Sequence, residues 1–309
     1  MIQITLGNVG ILNGRSIVES GARHKRKNQN GGLKVHSSVF PSDPSMSFAF
    51  HILGTSSSGN CSILQADDTR IMLDAGFQGP RLESSLNKIG IEVPAIDAIF
   101  ITHEHTDHCI GLTALLRQNP LLKVFANRET ARRIQATLKI RPNWQIFETG
   151  TTFEFRNLKV TSIPIPHDAA DPVGFALDCP HADSGGHKRV TWLTDLGHAT
   201  DVVRHHCALA DILVLEANYD DEMLDLSKRP INLKQRIRGN HGHLSNHDAR
   251  DLLLGLKEWQ TSHLYLGHLS KECNRTILVD EVMQAVRNHK EDLQVTVIDP
   301  LEESPVSYW

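Results

Sequence analysis

The apolar positions of this chain fall into short runs split by turn residues, and they do so only from Phe48 onward. Phe48–Leu53, Cys61–Gln65 and Arg70–Leu73 have strand length and are separated by Gly, Ser, Asn and Asp, which end strands and make turns. Ile96–Ile101 reads as a strand buried on both faces. Phe147–Phe155 and Leu158–Ile165 read as meander strands around Gly150, followed by Val173–Leu177, Val190–Leu193, Ile212–Leu215, His263–Leu266 and Gln294–Ile298. Helical spacing is expected over Arg81–Lys88, Gly111–Leu116, Arg128–Leu138, Asn246–Trp259 and Ile277–His289. Strands in two groups with helices outside each predict an α/β protein with two packed sheets.

The first 45 residues break this pattern. They carry a net charge of +4 in a chain of net −4, are rich in Asn, Gly, Ser, Lys and Arg, and show no periodic apolar face. Residues 1–45 are expected to be a disordered basic leader, and residues 46–309 the catalytic domain. The leader lacks the apolar core of a secretory signal. Its two readings are a basic arm for nucleic acid and extra sequence ahead of Met46. No apolar run approaches the ~20 residues needed to span a bilayer, which excludes a membrane protein. The five cysteines are odd in number and form no C-x-x-C pair, so a disulfide framework is not expected and a cytoplasmic location is.

Histidine is over-represented, 18 in 309. It does metal and proton chemistry near neutral pH, so its placement decides what the count means. The densest cluster is His103-Glu104-His105-Thr106-Asp107-His108, between the strand ending at Ile101 and the helix at Gly111–Leu116. In extended chain, residues i and i+2 point to the same side, so His103 and His105 can grip one ion. The turn into a helix then re-aims Asp107 and His108 toward a neighbouring position. Four ligands in six residues can thus serve two metals.

This hexapeptide is the H-x-H-x-D-H signature of the metallo-β-lactamase superfamily, and the resemblance extends over about residues 48–270. The early Asp is Asp74 in Leu73-Asp74-Ala75-Gly76. The third histidine is His167 in Pro166-His167-Asp168. The later Asp is Asp195 in Thr194-Asp195-Leu196-Gly197, and the last His is His268 in Gly267-His268-Leu269-Ser270. The resemblance implies the four-layer αβ/βα sandwich with a two-metal cleft at the sheet edges. Carried over residue by residue, it implies one metal on His103, His105 and His167 and a second on Asp107, His108 and His268, with Asp195 bridging. Asp74 is expected to orient a ligand or the bridging water from behind. Zinc is the first choice of metal, with manganese or iron also suited to His and Asp ligands. Two such ions yield a bridging hydroxide at neutral pH and neutralise charge on the electrophile, which favours hydrolysis.

Two further segments bear on the substrate. Glu216-Ala217-Asn218-Tyr219 followed by Gly242-His243-Leu244-Ser245-Asn246 resembles the phosphodiesterase and nuclease branches of the superfamily. There a histidine near Ser or Thr at a helix start protonates the leaving oxygen. His243 is the best match, with His241 and His247 as nearby competitors, and Ser245 or Asn246 can cap the next helix. Lys228, Arg229, Lys234, Arg236 and Arg238 form a basic run with no acid among them, read as a loop. Lys234, Arg236 and Arg238 are expected to track a phosphate backbone. Together with Leu53-Gly54-Thr55-Ser56-Ser57-Ser58-Gly59-Asn60, these motifs look most like the bacterial YycJ (WalJ) branch, described as phosphodiesterases with 5′→3′ DNA exonuclease activity and a link to DNA repair. Ser57 and Asn60 are its candidate substrate-binding residues. The expectation is therefore a dinuclear metal-dependent phosphodiesterase acting on DNA. Its rival is a small-molecule hydrolase of the same fold, acting on a thioester, lactone or cyclic nucleotide.

Overall fold

The computed structural model describes residues 48–181, 186–302 and 306–308. The basic stretch expected over residues 1–45 lies outside the described residues. In the first sheet, β1 (Phe48–Ser56), β2 (Gly59–Ala66) and β3 (Thr69–Leu73) run antiparallel. They are followed in parallel by β4 (Ala98–Phe100), β5 (Lys123–Asn127) and β6 (Asn143–Phe147). The crossovers are α1 (Gly79–Lys88), α2 (Thr106–Cys109) with α3 (Leu112–Gln118), and α4 (Arg128–Thr137).

In the second sheet, β7 (Thr152–Phe155), β8 (Leu158–Pro164), β9 (Val173–His181) and β10 (Gly186–Leu193) run antiparallel. β11 (Ile212–Glu216), β12 (His263–Gly267) and β13 (Gln294–Val297) extend it in parallel from β10. Its helices are α5 (Asp201–Ala208), α6 (Asp221–Leu226), α7 (Ile231–Arg238), α8 (Asn246–Leu254) and α9 (Thr276–His289). β14 (Val306–Tyr308) pairs with β1 at the edge of the first sheet.

Three apolar layers hold this together. Phe50, Phe100, Phe175 and Trp192 lie between the sheets. Leu82, Leu86, Leu115 and Ile134 cover the outer face of the first sheet against Ile63, Met72, Ile99 and Val124. Val203, Leu252, Val279 and Met283 cover the second against Leu213, Leu215 and Leu264. Phe100 thus faces the inner layer while Ile99 and Ile101 face the outer one. Burial on both faces is why these strands read as unbroken apolar runs. The four-layer α/β sandwich is the expected fold.

Several elements differ from expectation. The apolar stretch Phe147–Phe155 is not one strand. β6 closes the first sheet and β7 opens the second, with Gly150 at φ +79° in the turn between them, a conformation open to glycine without a Cβ penalty. β5 went unforeseen because only Val124, Phe125 and Ala126 are apolar in it. The helix from Asn246 stops at Leu254, before Gly255, and does not reach Trp259. The basic run is no loop: Lys234, Arg236 and Arg238 lie on α7.

In register, Leu73 lies beside Phe100, and Leu193, Leu215 and Leu266 lie side by side. The parallel strands therefore end together, and the turns that leave them meet at one edge, the usual place for a site in an α/β sheet.

Candidate metal centre

Every candidate ligand comes just after a strand end. Asp74 comes after β3, His103–His108 after β4, His167 after β8, Asp195 after β10 and His268 after β12. Asp74, Asp195 and His268 have φ of 55°, 62° and 55°, a left-handed turn that costs a non-glycine residue roughly 1–3 kcal/mol. The turn ends the strand abruptly and leaves the side chain at its tip. Backbone bonds lock these tips: Asp74 N–H donates to Phe100 O at 2.9 Å, Ala75 N–H to His108 O at 2.7 Å, and Gly197 N–H to Pro166 O at 2.8 Å. Gly76 sits so close to the loop that a Cβ there would lie 1.7 Å from Asp107 O.

The side chains converge in two groups. Ligand atoms of His103, His105 and His167 lie within 4.8 Å of one another, and so do those of Asp107, His108 and His268. Asp195 lies between the groups. Its Oδ2 is 2.9 Å from His108 Nε2, and its Oδ1 is 3.5 Å from both His167 Nε2 and His268 Nε2.

Most ligand rings are held through Nδ1. His108 Nδ1 donates to Asp74 Oδ2 at 2.9 Å, His268 Nδ1 to Glu216 Oε1 at 2.7 Å and His167 Nδ1 to Gly242 O at 3.1 Å, while His103 Nδ1 lies 3.0 Å from Thr102 Oγ1. Thr102 is itself bound through N–H and Oγ1 to Asp74 Oδ1 at 2.9 and 3.0 Å. Such outer partners set the tautomer and aim the other nitrogen. His105 instead presents Nδ1, 3.3 Å from His167 Nε2.

The donor set fits divalent cations. Among the described residues, His103 Nε2, His268 Nε2 and Asp195 Oδ2 are buried without a hydrogen-bond partner; the 2.9 Å approach of Asp195 Oδ2 to His108 lacks hydrogen-bond geometry. Unpaired buried polar atoms cost roughly 1–3 kcal/mol each, and three that converge on one cleft suit a shared positive ion. The charge pattern agrees. Burial opposes ionisation of Asp195, yet the His268 and His108 rings hold its carboxyl well below the usual range. Burial likewise opposes a charged His268, but Asp195, Asp107 and Glu216 raise it to about 10. Burial and His108 push His103 down. The carboxylates draw positive charge to the cleft, and a metal would take the place of those protons.

The remaining candidates scatter. His243 lies at this edge, its Nδ1 donating to Glu216 Oε1 at 2.8 Å and standing 3.8 Å from Asp195 Oδ1. Ser57 lines an adjoining cavity that Asp107 also lines. Asn60 is not open to a substrate: it is fully buried, with Nδ2 3.0 Å from His108 Nε2 and 3.2 Å from Ser56 O. The cations of α7 are engaged by the protein. Lys234 Nζ donates to Asp225 O and Ser227 O at 2.7 and 2.8 Å, Arg238 pairs with Asp225 at 2.6 Å, and Arg236 pairs with Asp168. They clamp a helix whose Ile237 carbonyl accepts His243 N–H at 2.9 Å.

Thr102, Glu216 and Asn218 complete the site without having been singled out as site residues. Asn218 Nδ2 donates to His268 O at 2.8 Å. Glu216 and Asn218 stood in a segment read only as a mark of kinship. A buried Glu at the last position of an apolar strand was the available signal.

Known proteins share this fold. The beta-lactamase superfamily domain matches residues 69–269. The chain is 29% identical over 270 residues to exodeoxyribonuclease YycJ of Bacillus anthracis, covering 85% of this chain and 100% of that protein. It is 31% identical over 269 residues to exodeoxyribonuclease WalJ of Streptococcus pneumoniae, covering 84% and 97%. Among solved structures, the metallo-beta-lactamase fold protein YhfI from Bacillus subtilis aligns with a TM-score of 0.63 at 16% identity, covering 84% of this chain and 98% of that one. The short form of human tRNase Z aligns with a TM-score of 0.53 at 19% identity, covering 72% and 93%.

Proposed function

The chain belongs to the metallo-β-lactamase superfamily of metal-dependent hydrolases, and we propose that it is a two-metal phosphodiesterase that degrades DNA from an end in the 5′→3′ direction. The two exodeoxyribonucleases that it resembles along nearly their whole length support DNA as the substrate class. The observation that carries the reading is the double use of Glu216. Its Oε1 accepts from His268 Nδ1 and from His243 Nδ1 at once, while Oε2 is held by Leu196 N–H at 2.6 Å.

One carboxylate thus ties a candidate ligand to a second histidine at the cleft. With Nδ1–H given to Glu216, His243 keeps Nε2 as the atom that carries a proton to the substrate. Its side chain is 21% exposed where the candidate ligand His268 is 1%, so it can meet a substrate. A departing alkoxide needs that proton, whereas a good leaving group does not. Metals held by His103, His105 and His167, by Asp107, His108 and His268, and by Asp195 between them would supply a nucleophilic water and neutralise phosphate charge.

The test compares His243→Ala with wild type, loaded with Zn²⁺ or Mn²⁺, on end-labelled DNA and on a bis-aryl phosphodiester. Loss of about 10²–10⁴-fold on DNA with the aryl ester spared is expected of a general acid. Wild-type activity on small esters alone would sink the nuclease reading in favour of a small-molecule hydrolase.

A further inference from the structure

The α7 cations are largely spent on the protein's own acceptors, so a phosphate backbone needs another partner. A cavity of about 480 Å³ adjoins Asp107 and is lined also by Ser57, Ser58, Phe77, Gln78 and Arg81. The Arg81 guanidinium lies 3.9 Å over the Phe77 ring, which steadies it against the wall. Among the described residues no carboxylate pairs with Arg81, and its buried Nε has no hydrogen-bond partner. A half-buried arginine that lines a cavity and, among the described residues, has no carboxylate partner for its terminal N–H groups is a ready receptor for a phosphate.

Neighbouring cavities share Ile110 with this one and bring Arg133 and Arg117, each without a carboxylate partner among the described residues. Of the acids lining those cavities, Glu104 accepts Ala170 N–H through Oε1 and Glu83 accepts from Gln118 Nε2. Ile110 is 39% exposed between them, an apolar spot for a sugar or base. Resting on the reading that the substrate is DNA, we propose that Arg81 binds the backbone phosphate adjacent to the one at the metal centre. The strand then leaves over Ile110, between α1, α3 and α4, and not along α7.

The test is fluorescence-anisotropy titration of metal-loaded protein with a labelled single-stranded oligodeoxynucleotide carrying hydrolysis-resistant phosphorothioate linkages, across a salt series. Arg81→Gln removes the charge but keeps a stem over Phe77, and Arg81→Lys keeps the charge. Arg81→Gln is expected to weaken binding about tenfold and to flatten the log–log salt slope by about 0.7, one phosphate contact on a single strand. Arg81→Lys should restore the slope, and Arg236→Gln should leave it unchanged. Kinetics on the bis-aryl ester and metal content should match wild type in both Arg81 variants. An unaltered slope in Arg81→Gln, or a slope lost instead in Arg236→Gln, overturns the Arg81 subsite. If wild type binds DNA but never cleaves the unmodified strand, the catalytic reading fails and the slopes still judge Arg81. A wild type that does not bind DNA overturns both.

Discussion

Each sheet contributes one buried carboxylate that holds a candidate metal-ligand histidine by Nδ1. From the first sheet Asp74 holds His108, and from the second Glu216 holds His268. The two pairs are close equivalents in burial and distance, but their other contacts differ. Asp74 spends its remaining capacity inward, on Thr102. Glu216 accepts Leu196 N–H through Oε2 and turns Oε1 outward to His243 as well. On the proposed reading, the first half of the cleft would serve to hold metal, and the second would hold metal and also aim a proton donor at the substrate.

Several substitutions would break or sharpen that contrast. The largest effect should come from Asp195→Ala, which removes the group between the halves. Loss of bound metal and of activity by on the order of 10³-fold is expected, since metals supply several kcal/mol of transition-state stabilisation; metal analysis with single-turnover kinetics checks it. Next, His243→Ala should cost DNA cleavage about 10²–10⁴-fold with metal content intact. Asp74→Asn and Glu216→Gln should each weaken metal affinity by about 10–100-fold, measured by competition with a chelator. They should part company on substrate choice. Glu216→Gln should lose DNA cleavage more than aryl-ester cleavage, and Asp74→Asn should lose both alike. Equal behaviour of the two on both substrates would mean that the halves do not differ as described. The smallest effect should come from Ser245→Ala, which removes a capping box with Asp248 at the start of α8. About 1 kcal/mol of stability should be lost, read as a fall in Tm.

Much of the candidate site was legible because its candidate ligands come as a contiguous motif and as residues placed directly after apolar strands. Asp74, Asp195 and His268 could be read that way even though they are far apart in sequence. The basic run was not legible in the same way. Five cations in eleven residues look like a phosphate track, yet Lys234, Arg236 and Arg238 meet Asp168, Asp225 and main-chain carbonyls of the α6 region. Arg81 shows the converse. It stands alone in an ordinary helix start, and only folding sets it on the same cavity as Asp107, without a carboxylate partner among the described residues. Asn60 resembled a binding-loop residue, and folding turned its amide inward to His108.

By itself the sequence determined the α/β architecture, the strands buried on both faces and the identity of the residues at the strand tips. These depend on local alternation and on order along the chain. The tertiary structure alone decided which carboxylate orients which histidine, which cations are spent and which remain free. Those outcomes depend on partners tens or hundreds of residues away, whose approach is set by how the parallel strands of the two sheets end in register.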